Sequence, residues 1–232
     1  MVNFIVLIIL HLLGDYYLQT ARIAKCKNAK ADSDCNNCKK CKKNSKLNYQ
    51  YMFIHTLLYT IPFILLLFMT DLKNASISII AILISHGIID SLACLFNKKT
   101  KQTLVFIIDQ FLHISILFLI YTAVDFSSIF NKYSLIVKCV LTILLLMIPC
   151  SIFINKIFED LYPYPETKNK GVFDVGSIIG ILERFLVIIF AFFQNFPAIA
   201  IIITVKTWAR SEDLKTSEFR NKYLLGTLAS LV

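Results

Sequence analysis

Glycine and proline are scarce in this chain, six and five residues among 232, and the long apolar runs lack the one-in-two alternation of a half-buried strand. A bilayer leaves a backbone two ways to satisfy its polar groups, the helix and the closed barrel. The missing alternation excludes the barrel. Charged side chains are also few, at 17% of residues, whereas 57% are hydrophobic, against about 45–50% apolar in a soluble domain. Histidine is rarer still. All four histidines fall inside the apolar runs, which leaves none for a separate Ser-His-Asp or Cys-His set. No Lys or Arg precedes the first run, Val2–Leu13, and no small-x-small cleavage pattern follows it. A retained helix is therefore expected there rather than a secretory signal.

What is present is a series of apolar runs, Val2–Gln19, Tyr51–Met69, Ile77–Phe96, Leu104–Val124, Leu135–Ile154 and Ser177–Phe193, each near the roughly 20 residues that cross a bilayer. Two shorter pieces follow, Ala198–Trp208 and Tyr223–Val232. The expectation is an all-α, polytopic transmembrane helix bundle of six to eight membrane helices. It forms a single domain over residues 1–232, with a Lys/Cys-rich loop at 22–46 inserted in it. The net charge of +9 is distributed by topology. Arg22–Lys46 carries nine basic residues, Asn97–Gln102 three, Lys156–Lys170 three and Lys206–Lys222 five, whereas the alternate connections hold only Lys73 and Lys132. The positive-inside rule then puts the N-terminus outside and the Lys-rich loop in the cytoplasm. Membrane lipids, not nucleic acid, are the expected partners, and a bacterial cytoplasmic (inner) membrane is the expected location.

An ionisable residue within a span costs about 2.5–3.5 kcal/mol on insertion scales, faces the bundle interior and marks function. Here such residues are patterned. The first span has His11 and Asp15, the third His86 and Asp90, and the fourth Asp109 and His113, each an i,i+4 pair on one helical face. The His-then-Asp order inverts in the fourth span, which runs the opposite way, so all three pairs fall at one depth. His55 of the second span and Glu183 of the sixth share that layer. Imidazole and carboxylate brought together from several helices is how bundles build metal sites. His11, Asp15, His55, His86, Asp90, Asp109 and His113 are thus expected to bind one or two divalent ions, with Zn, Mn or Fe suited to nitrogen and oxygen donors. Glu183 and Arg184 read either as a self-compensating ion pair or as a general base and an anion clamp. Gln110, Tyr17 and Tyr59 carry no individual assignment.

Cys26, Cys35, Cys38 and Cys41 give C-x8-C-x2-C-x2-C within the basic loop. In a reducing compartment such thiols read as ligands for an additional Zn, against the competing reading of a lipid-attracted basic loop. Cys94, Cys139 and Cys150 read as small packing residues.

Taken together, HLLGDYYLQT, the histidine of the second span, SHGIID, IDQFLH, IIGILER, KTWAR and YLLGTLAS resemble an uncharacterised bacterial and phage membrane-protein family known only as a domain of unknown function. The likeness covers nearly the whole chain, and the Cys-rich insertion departs from it. The resemblance implies the fold and the weight of these motifs but no reaction. SHGIID is also similar to the His-x-x-x-Asp segments of metal-dependent inner-membrane hydrolases, which implies hydrolysis by analogy.

The leading expectation is a metal-dependent membrane hydrolase acting at the cytoplasmic leaflet on a lipid phosphoester or amide. The alternatives are a metal-ion or proton transporter or channel, and a non-catalytic membrane assembly protein. The charge asymmetry yields a direct test of topology. A thiol reagent that cannot cross membranes should label Cys35, Cys38 and Cys41 only after cells are opened, and ready labelling in intact cells would overturn the orientation.

Overall fold

The computed structural model describes residues 1–20, 49–96, 101–161 and 175–231, and every regular element among them is helical. Helix α1 (Val2–Leu12) continues as one π-helical stretch (Leu13–Tyr17). Helix α2 (Tyr49–Thr60) passes through a 3-10 stretch (Ile61–Leu65) into the short α3 (Leu66–Met69). Then come α4 (Leu72–Phe96), α5 (Gln102–Ala123), a 3-10 turn (Ile129–Tyr133) and α6 (Ser134–Leu161). Helices α7 (Val175–Phe192) and α8 (Phe196–Ala209), a 3-10 turn (Asp213–Lys215) and α9 (Ser217–Leu231) complete the described chain.

Four stretches, Gln50–Met69, Leu72–Cys94, Gln102–Ala123 and Ile129–Leu161, are long and apolar enough to cross a membrane. They mark a membrane protein. Val2–Tyr17 and Phe196–Ala209 are shorter apolar helices. Helix α4 begins five residues before the expected Ile77, because Asp71 supplies a start. Its Oδ2 accepts the Asn74 amide at 3.1 Å and its Oδ1 accepts the Asn74 side chain at 2.6 Å. The backbone bond from Asn74 is the main reason that this carboxyl is held below its ordinary range.

The chain forms two compact units, Met1–Leu144 and Leu145–Val232. In the first, α4 packs on α2 and α5, and α1 packs on α5 and on the turns of the α2 segment. Val6, Leu7 and Leu10 of α1 meet Tyr59, Phe63, Leu66 and Met69, with Ile82 from α4 and Leu117 from α5. The outward faces are apolar too: Phe68 is 73% exposed and Phe111 68%. Apolar cover on that scale suits a lipid solvent and would be a liability in water.

Two local breaks set the packing of α1 on α2. Pro62 lacks an N–H and crowds the preceding turn, so the α2 segment tightens to 3-10 at Ile61–Leu65. Gly14 makes a close approach possible: a Cβ there would lie 2.5 Å from the Tyr59 carbonyl oxygen, a backbone atom that cannot give way.

In the second unit α7 packs on α8, and α9 on α7. The Arg184 guanidinium, buried on α7, donates to the Leu146 carbonyl at 2.8 Å and the Met147 carbonyl at 3.4 Å, and also to Ser151 Oγ. These acceptors flank Pro149, whose ring disturbs the helix carbonyls before it. Glu183 pairs with Lys206, and Thr207 shares a 2.9 Å hydrogen bond with Tyr223.

Two glycine substitutions separate close approach from ordinary helix content. Gly14→Val should destabilise by about 1–3 kcal/mol through overpacking. Gly87→Ala, whose new Cβ meets Thr56 at an ordinary 3.6 Å, should be neutral or stabilising by up to about 1 kcal/mol. Thermal unfolding in detergent reads both, and equal Tm values for the two variants would contradict the packing described.

Candidate metal centre

The first unit buries its ionisable groups at the helix ends that join the basic connections. Helix α1 and its π stretch deliver His11 and Asp15, α2 delivers His55, α4 delivers His86 and Asp90, and α5 delivers Asp109 and His113. All four imidazoles and the Asp15 and Asp90 carboxylates are buried. Helical register explains the pairing on α4 and α5, where residues four apart share a face. On α1 the π turn intervenes. Its Leu18 amide bonds the Leu13 carbonyl, five residues back, at 2.9 Å; His11 turns to Tyr59 and Asp15 to His55, and both also meet Gln110.

Three of these groups form a tight triangle. His55 Nε2 lies 3.1 Å from His86 Nε2 and 3.3 Å from Asp90 Oδ2, and His86 Nε2 lies 3.5 Å from Asp90 Oδ2. A tetrahedral ion with ligand bonds of about 2.0–2.1 Å would set its donors roughly 3.3–3.4 Å apart. The observed edges match that spacing. Asp15 Oδ1 stands 3.3 Å from His55 Nε2, next to the triangle. Asp15, His55 and His86 form one group able to hold a metal ion, and His86, Asp90 and His113 form a second that shares His86.

The remaining residues orient these donors. His113 Nδ1 faces the Asp109 backbone carbonyl at 2.9 Å, an acceptor only, so this nitrogen carries the proton and Nε2 keeps its lone pair. His86 Nδ1, 2.7 Å from His113 Nε2, then donates to it. That leaves His86 Nε2 as a lone pair aimed into the triangle, the tautomer a cation needs. Tyr59 stacks flat on the His86 ring, with centroids 3.5 Å apart and planes 5° from parallel. Its hydroxyl reaches His11 Nδ1 at 3.0 Å.

Gln110 joins the outer groups. Its Oε1 accepts from His11 Nε2 at 3.1 Å, and its Nε2 donates to Asp15 Oδ2 at 3.2 Å and to Asp109 Oδ2 at 3.1 Å. Of the seven expected ligands, Asp15, His55, His86 and Asp90 thus meet around His55 Nε2, and His113 joins His86 and Asp90 in the second group. His113 and the Asp109 carbonyl stand behind His86, with Asp109 Oδ1 3.8 Å from His113 Nδ1, and His11 stands behind Gln110 and Tyr59. Glu183 and Arg184 belong to the second unit and have their partners there. Cys26, Cys35, Cys38 and Cys41 lie outside the described residues.

Two residues without a sequence assignment, Tyr59 and Gln110, are part of the network. Tyr59 follows His55 by four positions, the same spacing that identified the other pairs. Gln110 sits next to Asp109 and carries no comparable signal.

A family model described as "Protein of unknown function (DUF3307)" matches residues 3–142, a stretch that takes in every His and Asp of this centre and stops before Glu183. No curated protein and no solved structure matches the chain.

Gln110→Leu keeps much of the side-chain volume but removes the amide shared by His11, Asp15 and Asp109. Loss of hydrogen bonds to buried charged groups should lower stability by about 2–3 kcal/mol, read as a drop in Tm. A Tm unchanged from wild type would mean that Gln110 is not the connector.

Proposed function

The chain belongs to the DUF3307 family, whose description assigns no activity, and on the geometry of its centre we propose that it is a metal-dependent membrane hydrolase. We further propose a multi-pass arrangement of six to eight helices in a bacterial inner membrane, with the N-terminus outside and the centre near the cytoplasmic leaflet. The observation that carries the reading is the triangle of His55 Nε2, His86 Nε2 and Asp90 Oδ2, with edges of 3.1, 3.3 and 3.5 Å.

Two imidazoles and one carboxylate are a donor set of the kind that leaves a catalytic position open. Zinc is the ion we favour, with Mn and Fe as the other candidates on donor type. A divalent ion held by His55, His86 and Asp90 would supply a water of lowered pKa and polarise a phosphoryl or carbonyl oxygen. Asp15, whose Oδ1 lies 3.3 Å from His55 Nε2, would serve as the general base. Gln110, bonded to the other Asp15 oxygen, fixes the carboxylate's direction. Glu183 is less suited to act as base, because Lys206 already neutralises it. The substrate class is a lipid phosphoester or amide whose headgroup bond reaches this depth.

A transporter would need polar groups along the whole path. On the side of the centre away from the basic connections, the first unit instead packs Leu7, Phe63, Leu66, Ile82 and Leu117, each essentially without exposure. That apolar plug supports a centre served from one face of the membrane.

Metal analysis of protein purified without chelator tests the reading. The centre should hold about one equivalent, His86→Ala and Asp90→Ala should lose it, and His11→Ala should retain most of it. Replacing Cys26, Cys35, Cys38 and Cys41 with Ser should leave this ion in place and remove any loop-bound one. Asp15→Asn should keep the ion and lower turnover of a lipid phosphoester or amide by about 10²–10⁴-fold. Wild-type protein free of intramembrane metal would sink the proposal, as would metal-loaded protein that moves ions across liposomes and hydrolyses nothing in a broad lipid screen.

A further inference from the structure

Beside the centre, a groove of about 510 Å³ runs between α2 and α4, within the 300–1,000 Å³ range of ligand pockets. Helical rise makes it roughly 13 Å long on the α4 side, from Leu83 to Leu92. Its rims are large apolar side chains turned outward: Phe53 is 64% exposed, Leu57 44%, and Ile84 and Ile88 54% each. Both helices belong to stretches able to cross a membrane, so the groove opens where a bilayer supplies hydrocarbon.

Two features limit what can lie in it. The hydroxyls that line it are already engaged on their own helices: Thr56 Oγ1 donates to the Met52 carbonyl at 3.0 Å and Ser91 Oγ to the Gly87 carbonyl at 2.6 Å. They offer no free proton to a polar ligand. The hollow itself owes much to Gly87, which has no side chain opposite Thr56. In addition, Thr56, Gly87 and Ser91 directly follow His55, His86 and Asp90 in the chain. The groove therefore flanks all three corners of the donor triangle over its length.

From these observations we propose that the α2–α4 groove seats one acyl chain of the lipid on which the His/Asp centre acts. The assignment rests on the hydrolytic reading of that centre and narrows its substrate to an acyl-chain-bearing lipid. The chain lies along the outside of α2 and α4, and the headgroup end is held at the level of Ser91 and Leu92. A competing occupant is a helix from a second copy of the protein, since Gly87 and Ser91 also form a small-x-x-x-small pair. The large outward side chains Phe53, Leu57, Ile84 and Ile88 on both rims keep a second backbone from the close approach that such a pair serves, and they favour a single hydrocarbon chain.

The test uses full-length protein in detergent, with Trp208→Phe as background so that an introduced tryptophan is the only one. Phosphatidylethanolamine brominated in its acyl chains serves as quencher. With Phe53→Trp, quenching should saturate at roughly one lipid per chain, as one pocket for one ligand requires. With Leu119→Trp, on the exposed face of α5, it should rise in proportion to lipid content. Gly87→Leu and Ser91→Leu, two independent ways to fill the groove, should each abolish the saturable phase while metal content stays at the wild-type level. Proportional quenching at Phe53→Trp would overturn the groove, and so would saturation that survives both fillings or cross-linking of Phe53→Cys between two copies that excludes the lipid. Saturable quenching in a protein without metal would retain the lipid groove and refute the hydrolytic centre. Metal without saturation would do the reverse.

Discussion

Everything in the first unit follows from placing ionisable groups where water cannot reach them. Each carboxylate or imidazole in a low-dielectric interior needs a partner of complementary chemistry, because an unpartnered one costs far more than a hydrogen bond returns. Gln110 meets that demand for three groups at once, accepting a hydrogen bond from His11 and donating hydrogen bonds to Asp15 and Asp109. An amide can do this because it accepts on one side and donates on the other. Helices α1 and α5 must then adjoin at that level, and Gly14 must bring the α1 segment against Tyr59. The polar network thus dictates the apolar packing around it.

The helical class and the shared depth of the histidines and aspartates were legible in the residues themselves. Spacing of four places two side chains on one face, and the inverted order in α5 follows from its reversed direction. Which of the seven would converge was not legible, since a common face does not say which neighbour that face meets. The π turn after Leu12 adds to this: His11 turns to Tyr59 and Asp15 to His55, although both also reach Gln110. Tyr59 could have been found, four positions after His55, had aromatic partners been admitted beside acids. Glu183 and Arg184 read from the residues either as an ion pair or as a base and an anion clamp. Adjacent residues on a helix point about 100° apart, and in the structure Glu183 pairs with Lys206 while Arg184 donates to the carbonyls of Leu146 and Met147.

The second unit meets the same demand by different means. Arg184 is served largely by main-chain carbonyls, Leu146 and Met147, with Ser151 Oγ added. A guanidinium carries five donors in a fixed fork. Main-chain and hydroxyl oxygens of one neighbouring helix can therefore serve it without a carboxylate, which is how the buried Arg184 is accommodated within an apolar helix.

The π stretch at Leu13–Tyr17 also makes the centre unusually sensitive to chain length. An α turn closes over four residues and this one over five, so the stretch behaves as a helix that has absorbed one extra residue. Deleting one residue there would let the backbone close as regular α-helix with the residues on either side kept in register, because the π turn is what absorbs the extra residue. Adding one more residue between His11 and Asp15, with no second π turn to absorb it, would instead rotate every later side chain of that segment by about 100°. Asp15 would swing away from His55, though the composition of the segment would scarcely change. The centre therefore tolerates a change of length in one direction and not in the other.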